Sequence, residues 1–227
     1  MAAKDRLWIV SNYNQDPSAV IARLTAPYLI CNQGDPAHVP QEYRQGAGFR
    51  QARHAGHNIS DYLEFIVENY DNLPDSLGFA KGNLFPRHIN EDVFIERQAF
   101  DGFVPLYSDD ATYRRQNHRL WRFHLMAQQI APGYYLETAN NWYSKHRKPG
   151  KHFPRLHDLF AYFFKRQPPR YIPFVPGACM IVPAGKIRRW PVETYQRLHE
   201  AVTYDFFPVE AFHVERSMLY FFDFPRE

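Results

Sequence analysis

Leu7-Trp8-Ile9-Val10-Ser11-Asn12-Tyr13-Asn14-Gln15-Asp16-Pro17-Ser18 is the stretch that decides the fold class. A short continuous apolar run gives way to a cluster of turn and cap formers, which predicts a buried strand opening onto a polar loop. Ser18 to Leu24 can then make a short helix, and Tyr28-Leu29-Ile30-Cys31-Asn32 a second strand closed by Gln33-Gly34-Asp35-Pro36. The chain thus begins β-α-β, the opening of an α/β domain.

Working outward, Ala37 to Ala55 is polar and shows no clear period, so it reads as loop. From Ser60 onward, Tyr62, Leu63, Phe65, Ile66, Val67 and Tyr70 fall on one broad helical face, with Ser60 or Asn58 as N-cap and Leu73-Pro74 as a stop. Ser76 to Ala80 is a short strand ending at Lys81-Gly82-Asn83, and Ile89 to Gln98 begins another helix. The middle, Phe100 to Pro173, is rich in Tyr, Arg, His and Pro; helices are expected around Arg119 to Gln129 and Leu156 to Lys165. Strand formers resume over Phe174 to Val182. Ile187 to Val202 is mostly helical, and Phe212 to Phe222 is apolar on one face with Glu215 and Arg216 in its middle. With no internal repeat, one domain over residues 1–227 is expected, an aromatic and basic insertion occupying roughly 100–173.

Composition narrows the function classes. The 227 residues carry 27 Lys and Arg against 24 Asp and Glu, a net charge of +3 without the blocks of like charge that mark polyanion-binding tails. Aromatic content is 17% and mean hydropathy is −0.53, which excludes a disordered chain and a membrane-spanning one. Met1-Ala2-Ala3-Lys4-Asp5 has no apolar signal region behind it, so the cytoplasm is the expected compartment. Cys31 and Cys179 are the only cysteines, too few for a disulfide framework or a four-thiolate zinc site; both sit in apolar runs and read as buried thiols. The eleven histidines contain no His-Glu-x-x-His or comparable zinc spacing.

Ligands of open α/β sheets bind where strand carboxyl ends meet helix N-termini. Three loops fit that position: Asn12 to Asp16, Gln33-Gly34-Asp35, and Lys81-Gly82-Asn83 continuing to His88. Their amides and carboxylates can hold sugar hydroxyls, a base edge or a metal, although ordinary turns use the same residues. Pro176-Gly177-Ala178 offers either a close approach of backbone to a ligand or a simple bulge.

Several blocks, in order, carry a resemblance: Val10 to Asp16, Asn32 to Asp35, Asn58 to Asp75 with Tyr70-Asp71-Asn72-Leu73-Pro74-Asp75 as its most specific part, Phe79-Ala80-Lys81-Gly82, Val175 to Ala178, and Val214-Glu215-Arg216. Together they resemble an uncharacterised domain family that is itself similar to nucleotide-sugar glycosyltransferases of the GT-A type. The resemblance implies a Rossmann-like, mixed and mostly parallel sheet. It also implies a nucleotide-sugar donor, a glycan or other hydroxyl acceptor, and a divalent cation, Mn or Mg. Where the family has Gly-Asp-Pro-Phe-x-His, this chain reads Gly82-Asn83-Leu84-Phe85-Pro86-Arg87-His88. Asn83 thus replaces the acid, which weakens the metal expectation because Mg and Mn prefer anionic oxygen donors. Asp109-Asp110 is the only adjacent acid pair in the middle region.

On this reading Asn12, Asn14 and Asp16 hold the nucleotide or ribose, with Gly34 and Asp35 beside them. Lys81, Gly82 and Asn83 hold the diphosphate or donor sugar, and Gly177 lies near the acceptor. Glu215, in a segment apolar enough to be largely buried, is either ion-paired with Arg216 or another arginine, or the general base that takes the acceptor hydroxyl's proton. Arg216, Lys81, Arg87, His88 or the Arg188-Arg189 pair would face the leaving diphosphate. Two alternatives stand beside it. One is a non-catalytic nucleotide- or carbohydrate-binding module of the same fold. The other is a single-strand nucleic-acid binder using Tyr134-Tyr135, Trp142-Tyr143 and the basic residues Arg114 to Lys151, whose rings otherwise pack a core. Of these partners, nucleic acid is the one not expected.

Overall fold

A computed structural model describes residues 5–108, 127–137 and 149–224. The opening is β-α-β as expected: β1 (Arg6–Asn12), α1 (Ser18–Ile21) and β2 (Tyr28–Asn32). After them come α2 (Gln41–Arg44), β3 (Phe49–Gln51), α3 (His57–Asn69), β4 (Ser76–Lys81), α4 (Glu91–Gln98) and β5 (Val104–Pro105). The remainder holds β6 (Ala127–Ala131), β7 (Tyr134–Glu137), α5 (Leu156–Phe164), β8 (Ile172–Phe174), β9 (Met180–Pro183), α6 (Ala184–Ile187), α7 (Val192–Val202) and α8 (Val209–Phe222).

The central sheet has six strands in the order β3-β2-β1-β4-β9-β5. The first four are parallel; β9 runs antiparallel to β4 and to β5. Alternation along β1 sends Trp8 and Val10 to one face, with Ile30, Ala80 and Ile181, and Ile9 to the other, with Cys31, Leu77 and Phe79. Both faces are covered, which is why β1 reads as a continuous apolar run rather than an alternating one. The larger core lies between the sheet and α3, α7 and α8. Gly78 lies flat against the Trp8 indole, leaving no room for a Cβ.

Four expectations need correction. The segment 37–55, read as loop, contains a short helix and β3, whose three residues pair with Ile30 to Asn32; so brief an edge strand has no detectable period. The long helix starts at His57, before the expected caps. Its N-terminus is set by Gly56 at φ +67 and by the Gly56 and His57 N–H groups donating to the carbonyls of Asp205 and Phe206, so Asn58 and Ser60 lie inside it. Ala127 to Gln129 belong to a strand rather than a helix, because Gly133 at φ +82 turns the chain and β6 pairs with β7. The expected run Phe174 to Val182 is broken at Gly177, φ +80. There the chain leaves the three-stranded sheet β6-β7-β8 and enters the central one as β9. Residues 119–126 of the expected helix, Asp109-Asp110 and the stretch 138–148 lie outside the described residues.

Both cysteines are buried and free. Among the described residues no helix is long and apolar enough to cross a membrane.

Candidate functional site

From β1 the chain crosses to β2 on one side, and after β3 it returns to β4 on the other, so the carboxyl ends of β1 and β4 diverge into a crevice. A cavity of about 220 Å³ lies there. Ser11, Tyr13 and Gln15 line it from the end of β1, Gln33 from beyond β2, and His57 and Asn58 from the start of α3. Lys81, Gly82 and Asn83 enter from the end of β4, Arg87 and His88 from the turn after it, and Phe206 from the loop before α8.

The inner wall is a hydrogen-bonded polar layer. Asp61 is 2% exposed and accepts from Ser11 Oγ and, at 2.8 Å, from Gln33 Nε2. Gln33 Nε2 also donates to His57 O and Ser60 Oγ, which fixes the orientation of its amide. Burial raises the Asp61 carboxyl from 3.8 to about 8, opposed in part by these two bonds, so at neutral pH it is largely protonated. Below this layer Asn12 donates to Gln15 O and Asn32 Oδ1, and Asn32 donates to Gly34 O and Gln51 Oε1. A Cβ on Gly82 would collide with Asn12 Oδ1.

A second layer comes from the Gly177 turn. Its carbonyl accepts from Asn58 Nδ2 at 3.1 Å and its N–H donates to Glu215 Oε1 at 2.8 Å. A Cβ here would meet His88 Cε1 at 2.6 Å. Glu215 Oε2 lies 3.4 Å from Arg216 Nη1, and that guanidinium covers the Phe174 ring at 4.6 Å. His88 is 8% exposed, with both ring nitrogens lacking a hydrogen-bond partner among the described residues. Burial, helped by Lys81 and Arg87, holds it well below the usual histidine range, so its ring is neutral. At the mouth, Tyr13 stacks on His54 with centroids 5.2 Å apart, and His54 packs on Phe206 at 3.9 Å.

Of the residues expected at a site, the structure brings Lys81, Gly82, Asn83 and His88 into one cavity wall, with Asn12 directly beneath. Gly177 packs on His88 from outside the lining, and Glu215 and Arg216 stand behind Gly177. Asn14 and Asp35 bind each other's loop, Asn14 Oδ1 accepting the Asp35 N–H at 2.8 Å, and Gly34 packs tightly against Asn14. Asp35 also accepts from the Ala37 N–H, and the exposed Asp16 from the Ser18 N–H. These four hold turns and do not line the cavity. Arg188 and Arg189 reach the carbonyls of Leu73 and Phe221. The basic residues 114–122 and 145–148, with Trp142-Tyr143, lie outside the described residues.

Asp61, Ser11, His57 and Phe206 escaped the sequence reading. Asp61 had a signal: Asn58, Asp61 and Phe65 recur at spacings of three and four on the buried face of α3, so a carboxyl there had to be paired or neutral. Phe206 had none, since only the chain's return beside α3 brings it to the mouth.

The lining does not suit Mn or Mg. It offers amides, imidazoles and two hydroxyls, of Ser11 and Tyr13, beside two cations, Lys81 and Arg87, and no carboxylate. Among the described residues no group of three His, Cys, Asp or Glu is placed to hold a metal ion.

Comparisons with curated proteins and with solved structures give no match. A family model described as "Protein of unknown function (DUF3431)" matches residues 37–223, most of the chain and every part of the cavity wall from α3 onward. The chain belongs to the DUF3431 family of proteins of unknown function.

Proposed function

We propose that the cavity binds the diphosphate-bearing end of a nucleotide sugar and that the protein transfers the glycosyl group to a hydroxyl acceptor within a GT-A-like fold. One observation carries the reading: a cavity at the diverging carboxyl ends of β1 and β4 is lined by two cations and no carboxylate. In the transfer, the acceptor oxygen bonds to the anomeric carbon as the bond to the diphosphate oxygen breaks. The diphosphate leaves with the electron pair toward Lys81 and Arg87, and the acceptor's proton passes to Glu215 once that carboxylate turns from the Gly177 N–H toward the cavity. No metal enters this scheme, since the lining does not fit one.

A non-catalytic binding module is the second reading, favoured by the position of Glu215, whose two oxygens face Gly177 N–H and Arg216 rather than the cavity. A thermal-shift screen against nucleotide sugars, with and without manganese, followed by product analysis, tests both. Binding with turnover that is lost in Glu215→Gln supports the transferase; binding without turnover supports the module. Absence of any nucleotide-sugar binding overturns both.

A further inference from the structure

Lys81 ends β4 with its side chain in the cavity wall, partly buried. Among the described residues its ammonium has neither a hydrogen bond nor an ion pair. Burial pulls it below the ordinary lysine range; Glu215 opposes this from beyond contact distance, while Arg87 adds to it. A buried cation is ordinarily paired, because desolvation without a partner is costly. Here the other charged side chain in the lining is a second cation, Arg87, exposed at the rim of the same cavity. Two like charges on a space with no carboxylate among its lining residues, the Asp61 behind Ser11 and Gln33 being largely protonated, leave unmet a demand for negative charge, which water alone meets poorly in a half-enclosed site.

We propose that Lys81 and Arg87 form an oxyanion site that takes a phosphate-class group directly, with no metal between protein and ligand. It rests on the functional reading above for its choice of cavity and needs none of the glycosyl chemistry. Lys81 supplies a point charge at the inner wall, and Arg87 a planar fork of donors at the rim. The neutral His88 and Asn83 beside them can hydrogen-bond the anion without repelling it. The free protein carries the cost of the unpaired ammonium, and the ligand relieves it.

Titration calorimetry on the full chain, with EDTA throughout, tests the site with inorganic phosphate, inorganic diphosphate and UDP-glucose. Diphosphate is expected to bind. Lys81→Met is expected to weaken it about tenfold or more, and the rim variant Arg87→Gln about three- to tenfold with a shallower salt dependence. Lys81→Met is also expected to raise the melting temperature of the free protein, which loss of a merely structural lysine would not do. Arg23→Gln, an exposed pair with Glu91, controls for lost charge and leaves affinity unchanged. Failure of diphosphate to bind without a divalent cation, or equal binding to wild type and both variants, overturns the proposal. Diphosphate binding without UDP-glucose binding sinks the nucleotide-sugar reading and leaves the oxyanion site standing. UDP-glucose binding that neither variant alters does the reverse. Phosphate binding as tightly as diphosphate, and lost in both variants, supports a site for a single phosphate group of any source.

Discussion

The Glu215 carboxylate accepts the backbone N–H of Gly177 at 2.8 Å, and through it α8 grips the turn that joins the two sheets. Gly177 in turn packs on His88 in the cavity wall, so an acid late in the chain is linked to the cavity through one residue without lining it. The buried acid of α8, Glu210, holds structure: it accepts from the N–H groups of His152 and Phe153 and from the Tyr204 hydroxyl.

Glu215→Gln keeps an acceptor for Gly177 and is expected to stay within about 1 kcal/mol of wild type in urea unfolding. Glu215→Ala removes the acceptor and leaves Arg216 without its carboxylate, at a cost of about 1–3 kcal/mol. If Glu215 is the base, both variants lose turnover alike while nucleotide-sugar affinity is kept; if it only holds the Gly177 turn, Glu215→Gln retains activity.

Gly177→Ala is expected to destabilise by about 1–3 kcal/mol. It places a side chain at φ +80 and drives a Cβ to 2.6 Å from the His88 ring. Thermal unfolding reads the loss, and ligand affinity should fall with it because His88 must shift.

Asp61 sets a pH dependence. Its carboxyl is at about 8 in the folded chain against 3.8 ordinarily, so between those values the folded state holds a proton that the unfolded state has released. Its stabilising contribution is therefore complete below about pH 4 and is lost as pH rises toward 8, with a slope of up to about 1.4 kcal/mol per pH unit. Asp61→Asn keeps the shape and can still pair with Ser11 and Gln33. The expected outcome is a flatter stability profile between pH 4 and 8, measured by denaturant unfolding, with the gain over wild type growing toward pH 8.

Asn12→Ala is expected to cost about 2–3 kcal/mol, since the side chain is 1% exposed and its amide bridges Gln15 O and Asn32 Oδ1. A loss much smaller than this in chemical unfolding would mean that Asn12 is free to serve a ligand instead.

Much of the candidate site was legible because it obeys a local rule. Strand ends followed by Asn, Gly and Asp announced loops, and Lys81, Gly82, Asn83 and His88 do share one wall. What that rule hides is whether a polar loop residue turns inward or braces its own turn. Asn14, Asp16 and Asp35 have the composition of ligand-holding residues and spend it on backbone N–H groups nearby. Gly177 was noted as a place of close approach; that the approaching group is the His88 ring depends on contacts across some ninety positions of chain.

By itself the sequence determined the α/β class, the β-α-β opening, a long helix through residues 60–69 and the burial of both cysteines. Each of these follows from apolar periodicity and turn chemistry acting over a few residues. Only the tertiary structure decided that β9 enters the sheet antiparallel beside β4, and that Asp61 lies buried and neutral under Ser11 and Gln33. It likewise decided that Lys81 and Arg87 line one cavity that no carboxylate lines. Those outcomes depend on which distant segments exclude water together, and desolvation of a charge is a property of the assembled surroundings rather than of any run of neighbouring residues.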